Sequence, residues 1–166
     1  MSRACTTPTD WSPASVRLVV QRVSRAAVRV GGGTVAEIGA GLLVLVGVGH
    51  GEQLADVEWL AGRVAHLRLF EDHDGKMNRS LDEVSGEVLV VPQFTLYGDT
   101  SKGRRPSWIH AAPPEEARSW VERFAGLLED EGVAVRRGSF QEHMEVDLVN
   151  DGPVTLIMER GGRAEG

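Results

Sequence analysis

Two short segments of this sequence carry residue types that can do chemistry and that chain geometry alone does not require. The first runs from Val91 to Tyr97 and reads Val-Pro-Gln-Phe-Thr-Leu-Tyr. Pro92 has no N–H for a sheet ladder, so a strand should break there and expose backbone groups. Taken alone, Phe94 at such a strand end is most simply a core side chain.

The second segment, Asn150 to Thr155, reads Asn-Asp-Gly-Pro-Val-Thr. Its Gly152-Pro153 bond is a candidate cis peptide, with an ordinary turn as the alternative.

A third segment places three cations within four residues of a loop-like stretch: Lys102, Arg104 and Arg105. The surrounding residues include Gly103 and Pro106, which interrupt regular structure. A cluster of this kind either contacts phosphate groups or forms a solvated loop, and composition alone does not separate the two.

Other patterns are too weak to define a cofactor or metal site. Gly47, Gly49 and Gly51 lack the G-x-G-x-x-G spacing of a dinucleotide loop, so a tight strand-to-helix turn is predicted. The five histidines show no metal-ligand spacing, and Cys5 is the single cysteine. No G-x-S-x-G elbow is present to support a serine hydrolase. We therefore expect neither a cofactor nor a bound metal.

The elements that would position these segments predict a mixed α/β fold. Apolar and β-branched runs predict strands at residues 16–23, 26–30, 34–38, 42–48, 67–70, 87–91, 133–137, 143–149 and 154–158. Apolar residues at three- and four-residue spacing predict one helix from about Glu52 and another from Pro113-Pro114 to Gly132. Residues 71–86 and 98–112 are predicted as loops. Because hairpins stand at both ends, we expect a single domain with a mixed β-sheet rather than a doubly wound parallel one, and two main helices packed on one side.

Composition and charge limit the classes of function. The 166 residues, 42% hydrophobic and 25% charged, fit one domain at 16–160, with flexible segments predicted at 1–15 and 161–166. The longest apolar run is too short to span a bilayer, and the single cysteine favours a reducing, cytoplasmic compartment. A net charge of −6 argues against a protein that coats nucleic acid, but not against an enzyme that grips only the end of an RNA.

Together these segments resemble the D-aminoacyl-tRNA deacylase family. The resemblance also covers the stretches Val19 to Ala26, Phe70 to Asp72, Lys76 to Leu81 and Gly103 to Ser107, and it runs in register from about Val16 to Met158. It implies a hydrolase of translation quality control that proofreads D-aminoacyl-tRNA, and glycyl-tRNA as well. It also implies a compact fold with barrel-like mixed β-sheets and a homodimer with active sites at the subunit interface. Neither a membrane nor DNA is expected as a partner.

The resemblance assigns roles to the two signature segments. In this family the Gly-cisPro turn, here Gly152-Pro153, projects into the partner subunit's pocket and faces the chiral centre of the amino acid. An L-side chain would collide with that backbone, whereas a D-side chain would not. Arg22 matches a residue that orients the turn, although by itself it reads as a surface residue on an edge strand. Asn150, Val154 and Thr155 belong to the same motif and are expected to support it.

The catalytic side of the resemblance rests on Gln93, Phe94 and Thr95, which are expected to hold the aminoacyl ester and the terminal adenosine. The ribose 2′-hydroxyl of the RNA is the expected activator, with Thr95 as a positioning residue. Pro92 lies where members of this family usually have serine. A related branch of deacylases, with relaxed chirality, has proline at this position. Lys102, Arg104 and Arg105 are expected to contact phosphates near the 3′ end. One alternative is an editing deacylase that either has relaxed chirality or removes a misacylated L-amino acid from tRNA. Another alternative is a non-catalytic nucleic-acid-binding protein.

Overall fold

Strand β1 lies at the centre of the structure, a computed structural model that describes residues 14–162. The predicted flexible segments lie mostly outside these residues. Within the described range the strands are β1 (Val16–Val30), β2 (Gly33–Ile38), β3 (Gly41–Val48), β4 (Phe70–Glu71), β5 (Met77–Arg79), β6 (Glu87–Pro92), β7 (Ala134–Arg137) and β8 (Glu145–Arg160). The helices are α1 (Leu54–His66), α2 (Leu81–Val84) and α3 (Pro114–Asp130), and Phe94–Tyr97 forms a 3₁₀ turn.

The main sheet is mixed, as predicted. Along one edge β1 pairs antiparallel with β8 over most of its length; along the other it pairs first with β3 and then with β2. Strands β3, β6 and β7 run parallel, with order β2-β1-β3-β6-β7. Because β1 passes from one partner to the next, the sheet curls into a half-barrel. The carboxyl ends of β3 and β6 meet at the same edge.

Apolar residues form a core on each face of the sheet. The larger core joins β1 and β3 to α1 and α3 through Leu18, Val44, Leu60 and Phe124. Both long helices contact this same core, as the predicted packing on one side requires. The smaller core contains Val28 and Leu89, and Met144, Val146 and Leu148 pack against it, as their alternation predicts.

Several predicted element boundaries are wrong. The strands predicted at 16–23 and 26–30 are one strand, because pairing with β8 continues past a register shift. The strands predicted at 143–149 and 154–158 are likewise both parts of β8. The strand predicted at 67–70 is limited to Phe70–Glu71, and the predicted loop 71–86 contains β5 and α2. These elements are too short to show a hydrophobic period, although the Ser80–Glu83 capping box marks the start of α2.

Candidate active site

An apolar pocket of about 470 Å³ lies where β3 and β6 end. This volume falls in the range of roughly 300–1,000 Å³ that is usual for small-molecule sites. Pro92, Gln93 and Phe94 line the pocket together with Val46 and Val48 of β3. The loop 108–114, the first turns of α3, and the Phe140–Gln141 segment complete its walls. The structure thus places three of the predicted catalytic residues in one cavity.

Gly47, near the end of β3, and Gly49, in the turn that follows β3, shape this region. The N–H of Gln93 donates to the Val46 carbonyl at 2.8 Å, and the chain then leaves the sheet as the 3₁₀ turn. A Cβ on Gly47 would lie 3.1 Å from the Gln93 oxygen, and one on Gly49 would lie 2.7 Å from Cε1 of Tyr97. The glycines therefore give the turn room to pack on β3. The predicted strand-to-helix turn is confirmed for Gly49 and Gly51, which lie between β3 and α1, whereas Gly47 lies within β3.

Phe94 is not the core residue that its position alone predicted, since its side chain is 56% exposed. The 3₁₀ turn directs it towards the pocket, and Tyr97 takes the buried place instead. The Phe94 ring meets Trp108 edge to face, with centroids 5.2 Å apart and an interplanar angle of 73°.

Thr95 is exposed and lies outside the pocket lining. Its hydroxyl accepts a hydrogen bond from the side-chain amide of Gln93. An amide cannot take up the hydroxyl proton, so this contact does not activate Thr95 as a nucleophile.

Burial raises the pKa of Tyr97 well above its ordinary value, so the nearby phenol stays neutral and donates to the Ala14 carbonyl.

The Gly152-Pro153 bond is cis, as predicted. The Asn150 side chain closes the turn around it: Oδ1 accepts from the Val154 N–H at 2.8 Å, and Nδ2 donates to the Thr155 hydroxyl at 2.9 Å. Gly152 has a φ of +145°, a backbone conformation that favours glycine.

Arg22 is only 6% exposed and lies on the central strand β1. Its interpretation as a surface residue on an edge strand is therefore wrong. Its Nε donates to the Asp151 carbonyl at 2.8 Å, and its Nη1 donates to the Leu69 carbonyl at 2.6 Å. The guanidinium thus joins the Gly152-Pro153 turn to the segment that leads into β4.

The two signature segments do not meet within one chain. Gly152 and Pro153 are both exposed, and neither lines the pocket that holds Gln93 and Phe94. The three cations, Lys102, Arg104 and Arg105, are also exposed and outside the pocket. They lie in a loop that Asp99 and Ser107 close by reciprocal backbone hydrogen bonds of 2.8 and 2.9 Å. Hydrogen bonds from Ser101, followed by the charges of His110 and Lys102, hold the pKa of Asp99 below its ordinary value.

Sequence reasoning missed several pocket residues: His50, Trp108, Ile109 and Phe140. His50 Nε2 lies 3.0 Å from the Ile109 carbonyl. The Arg118 guanidinium lies 4.6 Å from the centre of the Phe140 ring. These residues are far apart in the chain, so no local pattern groups them. The aromatic character of Trp108 and Phe140 is the one feature of the sequence that points to a role in ligand binding.

Across residues 14–162, no group of three or more His, Cys, Asp or Glu side chains is placed to hold a metal ion. Among the helices of residues 14–162, none combines the length and the hydropathy of a transmembrane span.

The curled mixed sheet with its packed helices has the fold of the D-amino acid tRNA deacylases. A solved structure titled as a probable eukaryotic D-amino acid tRNA deacylase superposes with a TM-score of 0.73, covering 87% of this chain and 98% of that one. At 18% identity this likeness shows the fold alone. A second structure, titled c-Myc DNA Unwinding Element Binding Protein, has a TM-score of 0.80 and 36% identity, covering 86% of this chain and 97% of that one.

Sequence comparison gives the particular family. The family model described as D-Tyr-tRNA(Tyr) deacylase matches residues 19–159, and the chain belongs to this family. A D-aminoacyl-tRNA deacylase of Thermomicrobium roseum is 58% identical over 151 residues, 89% of this chain and 98% of that protein. The protein of the same name from Heliobacterium modesticaldum is 56% identical over 150 residues, 90% of this chain and all (100%) of that protein. The chain is accordingly an enzyme of the hydrolase class.

Proposed function

We propose that this enzyme hydrolyses the ester bond of D-aminoacyl-tRNA and releases the D-amino acid and free tRNA. The observation that carries the proposal is the pocket at the end of β6, which Pro92, Gln93 and Phe94 line together. The same chain is 58% identical to a relative named for this activity. An apolar cavity with a few polar groups suits an aminoacyl-adenosine, whose base is flat and whose ester needs polar groups to orient it.

The RNA end fits the surroundings of this pocket. Phe94 and Phe140 offer aromatic surface to the terminal adenine, as bases bound from single strands commonly require. Lys102, Arg104 and Arg105 lie on the adjoining loop, where they can meet backbone phosphates. Binding should therefore weaken with salt, with a logarithmic slope of roughly −0.7 for each phosphate contacted.

For the chemical step, we infer an RNA-assisted mechanism. The Gln93 amide engages the Thr95 hydroxyl, which favours Thr95 as a positioning residue over a nucleophile. The ribose 2′-hydroxyl beside the ester is then the group placed to assist attack by water, since positioning alone can accelerate an activated ester. Backbone N–H groups at the start of the 3₁₀ turn lack earlier carbonyl partners within the turn. Such donors typically stabilise a developing oxyanion by about 2.7–4 kcal/mol each.

The selection between D- and L-amino acids is inferred to need a second subunit. Gly152 and Pro153 lie outside the pocket of their own chain, so a turn that contacts substrate must come from a partner. Strand β8 supports this arrangement, since among the described strands it pairs with β1 alone. It also carries Ile157, which is 69% exposed. A rigid turn that overlaps the side chain of an L-amino acid excludes that amino acid by steric repulsion. Glycine has no side chain, so the turn does not exclude it. Glycyl-tRNA is therefore expected as a substrate.

The proposal is tested by incubating the purified chain with D-tyrosyl-tRNA and L-tyrosyl-tRNA in parallel. We expect release of D-tyrosine and retention of L-tyrosine. Equal rates on both would show relaxed chirality, the alternative that Pro92 in place of serine raises. Absence of release from either, with the RNA still bound, would contradict the enzymatic proposal.

A second candidate function is nucleic-acid binding without hydrolysis. The observation that favours it is the 36% identity to a structure titled as a DNA-unwinding-element-binding protein. The net charge of −6 opposes it, because binding to duplex DNA draws mainly on cationic contacts to phosphates. Titration of a labelled DNA duplex against an uncharged tRNA distinguishes the two, and we expect preference for the tRNA.

A further inference from the structure

Trp108 is an exposed aromatic residue that the proposed chemistry does not use. Its indole is 42% exposed, although it also lines the pocket and contacts Phe94 edge to face. An edge-to-face pair leaves ring surface open, so Trp108 keeps surface available to a ligand. A large aromatic side chain held at the mouth of a pocket is costly to expose unless something covers it during function.

The position of the indole is set by the backbone beneath it. A Cβ on Gly98 would lie 2.8 Å from Cζ3 of Trp108 and 3.5 Å from Cη2. The ring therefore packs directly on Gly98, at the end of the 3₁₀ turn that carries Phe94. Trp108 is held in one place, as a stacking surface must be.

The cationic loop, residues 99–107, ends immediately before Trp108. Ser107, the residue before Trp108, is paired with Asp99, and Lys102, Arg104 and Arg105 lie between the two paired residues. Neither Arg104 nor Arg105 forms an ion pair with any residue in the described range 14–162. Trp108 thus lies at the junction between an apolar pocket and a loop with free positive charge.

We propose that Trp108 is a second base-stacking site, which binds the nucleobase that precedes the terminal adenosine of the RNA. The inference rests on the proposed function, which places that adenosine in the pocket. A strand that leaves the pocket for the cationic loop passes over Trp108, because the residue joins the two. Aromatic platforms beside cationic grooves are the usual arrangement for binding single-stranded nucleic acid, and each stacked base contributes about 1–3 kcal/mol.

The test compares ligands that stop before or after this base. Binding of uncharged RNA trinucleotide CCA and of adenosine is measured by calorimetry for the wild type, Trp108→Ala and Trp108→Phe. We expect Trp108→Ala to weaken CCA binding by roughly five- to 150-fold, the range that loss of one stacked base implies. Adenosine binding should change less than about twofold, and Trp108→Phe should retain most of the CCA affinity.

A second variant addresses the possibility that Trp108→Ala merely disturbs the pocket. Gly98→Ala keeps the indole but displaces it. Because its Cβ would also lie 3.2 Å from the Thr95 carbonyl oxygen, we expect some loss of adenosine binding and a larger loss of CCA binding. Equal losses for CCA and adenosine would make Trp108 a wall of the pocket, and no loss for either would also overturn the proposal. Because uncharged ligands need no hydrolysis, a failure of the deacylase proposal would show separately, as a wild type that releases no D-tyrosine.

Discussion

At Gly152 the backbone conformation and the surroundings both require glycine. The φ of +145° is one that L-residues rarely adopt. A Cβ there would also lie 2.8 Å from Cγ2 of Val154 and 3.3 Å from Nη2 of Arg22. Any side chain would therefore disturb the same contacts that Arg22 and Asn150 use to hold the turn.

Gly152→Ala should displace the turn and lower the rate of D-tyrosyl-tRNA hydrolysis by at least about tenfold, since small misplacements in a site are costly. Gly31→Ala is the matched control, because Gly31 also has a positive φ of +58° but no atom within 4 Å of its added Cβ. Gly31→Ala should lose about 1–2 kcal/mol in the free energy of unfolding from its positive φ alone. Gly152→Ala should lose more, because its added Cβ also overlaps Val154. Steady-state kinetics separate them, and equal activities would contradict a role for the turn in the site.

Tyr97 supplies a prediction about pH. Burial raises the pKa of this phenol, so folding favours its neutral form. That contribution to the free energy of unfolding is fully present below the unfolded value of about 10 and is lost as the pH rises towards the raised value. Tyr97→Phe cannot ionise, so its stability should fall less steeply above about pH 10 than that of the wild type.

At pH 7, Tyr97→Phe should be less stable by about 1 kcal/mol, because the hydrogen bond to the Ala14 carbonyl is lost. Urea unfolding at a series of pH values measures both effects. Parallel declines in the two proteins above pH ~10 would mean that Tyr97 titrates in the folded state as an ordinary exposed tyrosine.

On the scale of elements, the pocket depends on how closely the 3₁₀ turn approaches β3. Gly47 lies in β3 and Gly49 lies just after it, where Leu96 and Tyr97 pack. A Cβ on Gly47 would lie 3.0 Å from Cβ of Leu96, and one on Gly49 would lie 2.7 Å from Cε1 of Tyr97. The turn carries Phe94 at its start and Tyr97 at its end, so one shift would move the exposed and the buried aromatic together.

Gly49→Ala should push the turn away from β3, because the new Cβ would lie 2.7 Å from Cε1 of Tyr97. We expect a loss of about 1–3 kcal/mol in the free energy of unfolding, as for other overpacked cores, and a higher KM for D-tyrosyl-tRNA. Gly126→Ala on α3 is the control, since nothing lies within 4 Å of its Cβ. It should leave the KM unchanged and add up to about 1 kcal/mol of stability. Equal KM values would show that the turn tolerates displacement.

At the scale of the whole molecule, the separation of the pocket from the Gly152-Pro153 turn is decisive. If each active site takes its pocket from one subunit and its turn from the other, two defective variants should complement each other. The pocket variant is Phe94→Ala, and the turn variant is Gly152→Ala. In a mixed dimer one site receives both lesions, whereas the other receives neither.

Co-expression of these two variants should therefore restore about a quarter of the wild-type activity per subunit, given random pairing into two-fold dimers. Each variant alone, and the two mixed without subunit exchange, provides the baseline. Activity no higher than this baseline would place the pocket and the turn in separate roles. Sedimentation of the wild type as an active monomer would have the same consequence.

Local sequence determined much of this protein. Apolar periods predicted the long helices and most strands, because each such element buries one face in the core. Pro92 predicted the end of β6, since it lacks a ladder donor, and the Asn150-to-Thr155 segment predicted a special turn. These features depend on residues close together in the chain, and neighbours in sequence are sufficient to specify them.

Tertiary structure alone decided which residues share the pocket. By its sequence position alone, Phe94 is predicted to be a core residue. In the folded chain Tyr97, which packs against Gly49, is the buried residue instead. Trp108 and Phe140 reach the pocket from loops whose positions depend on contacts with distant strands and helices. The absence of Gly152 and Pro153 from that pocket is likewise a property of the folded chain. Such proximities come from many long-range contacts acting together, which no short stretch of sequence encodes by itself.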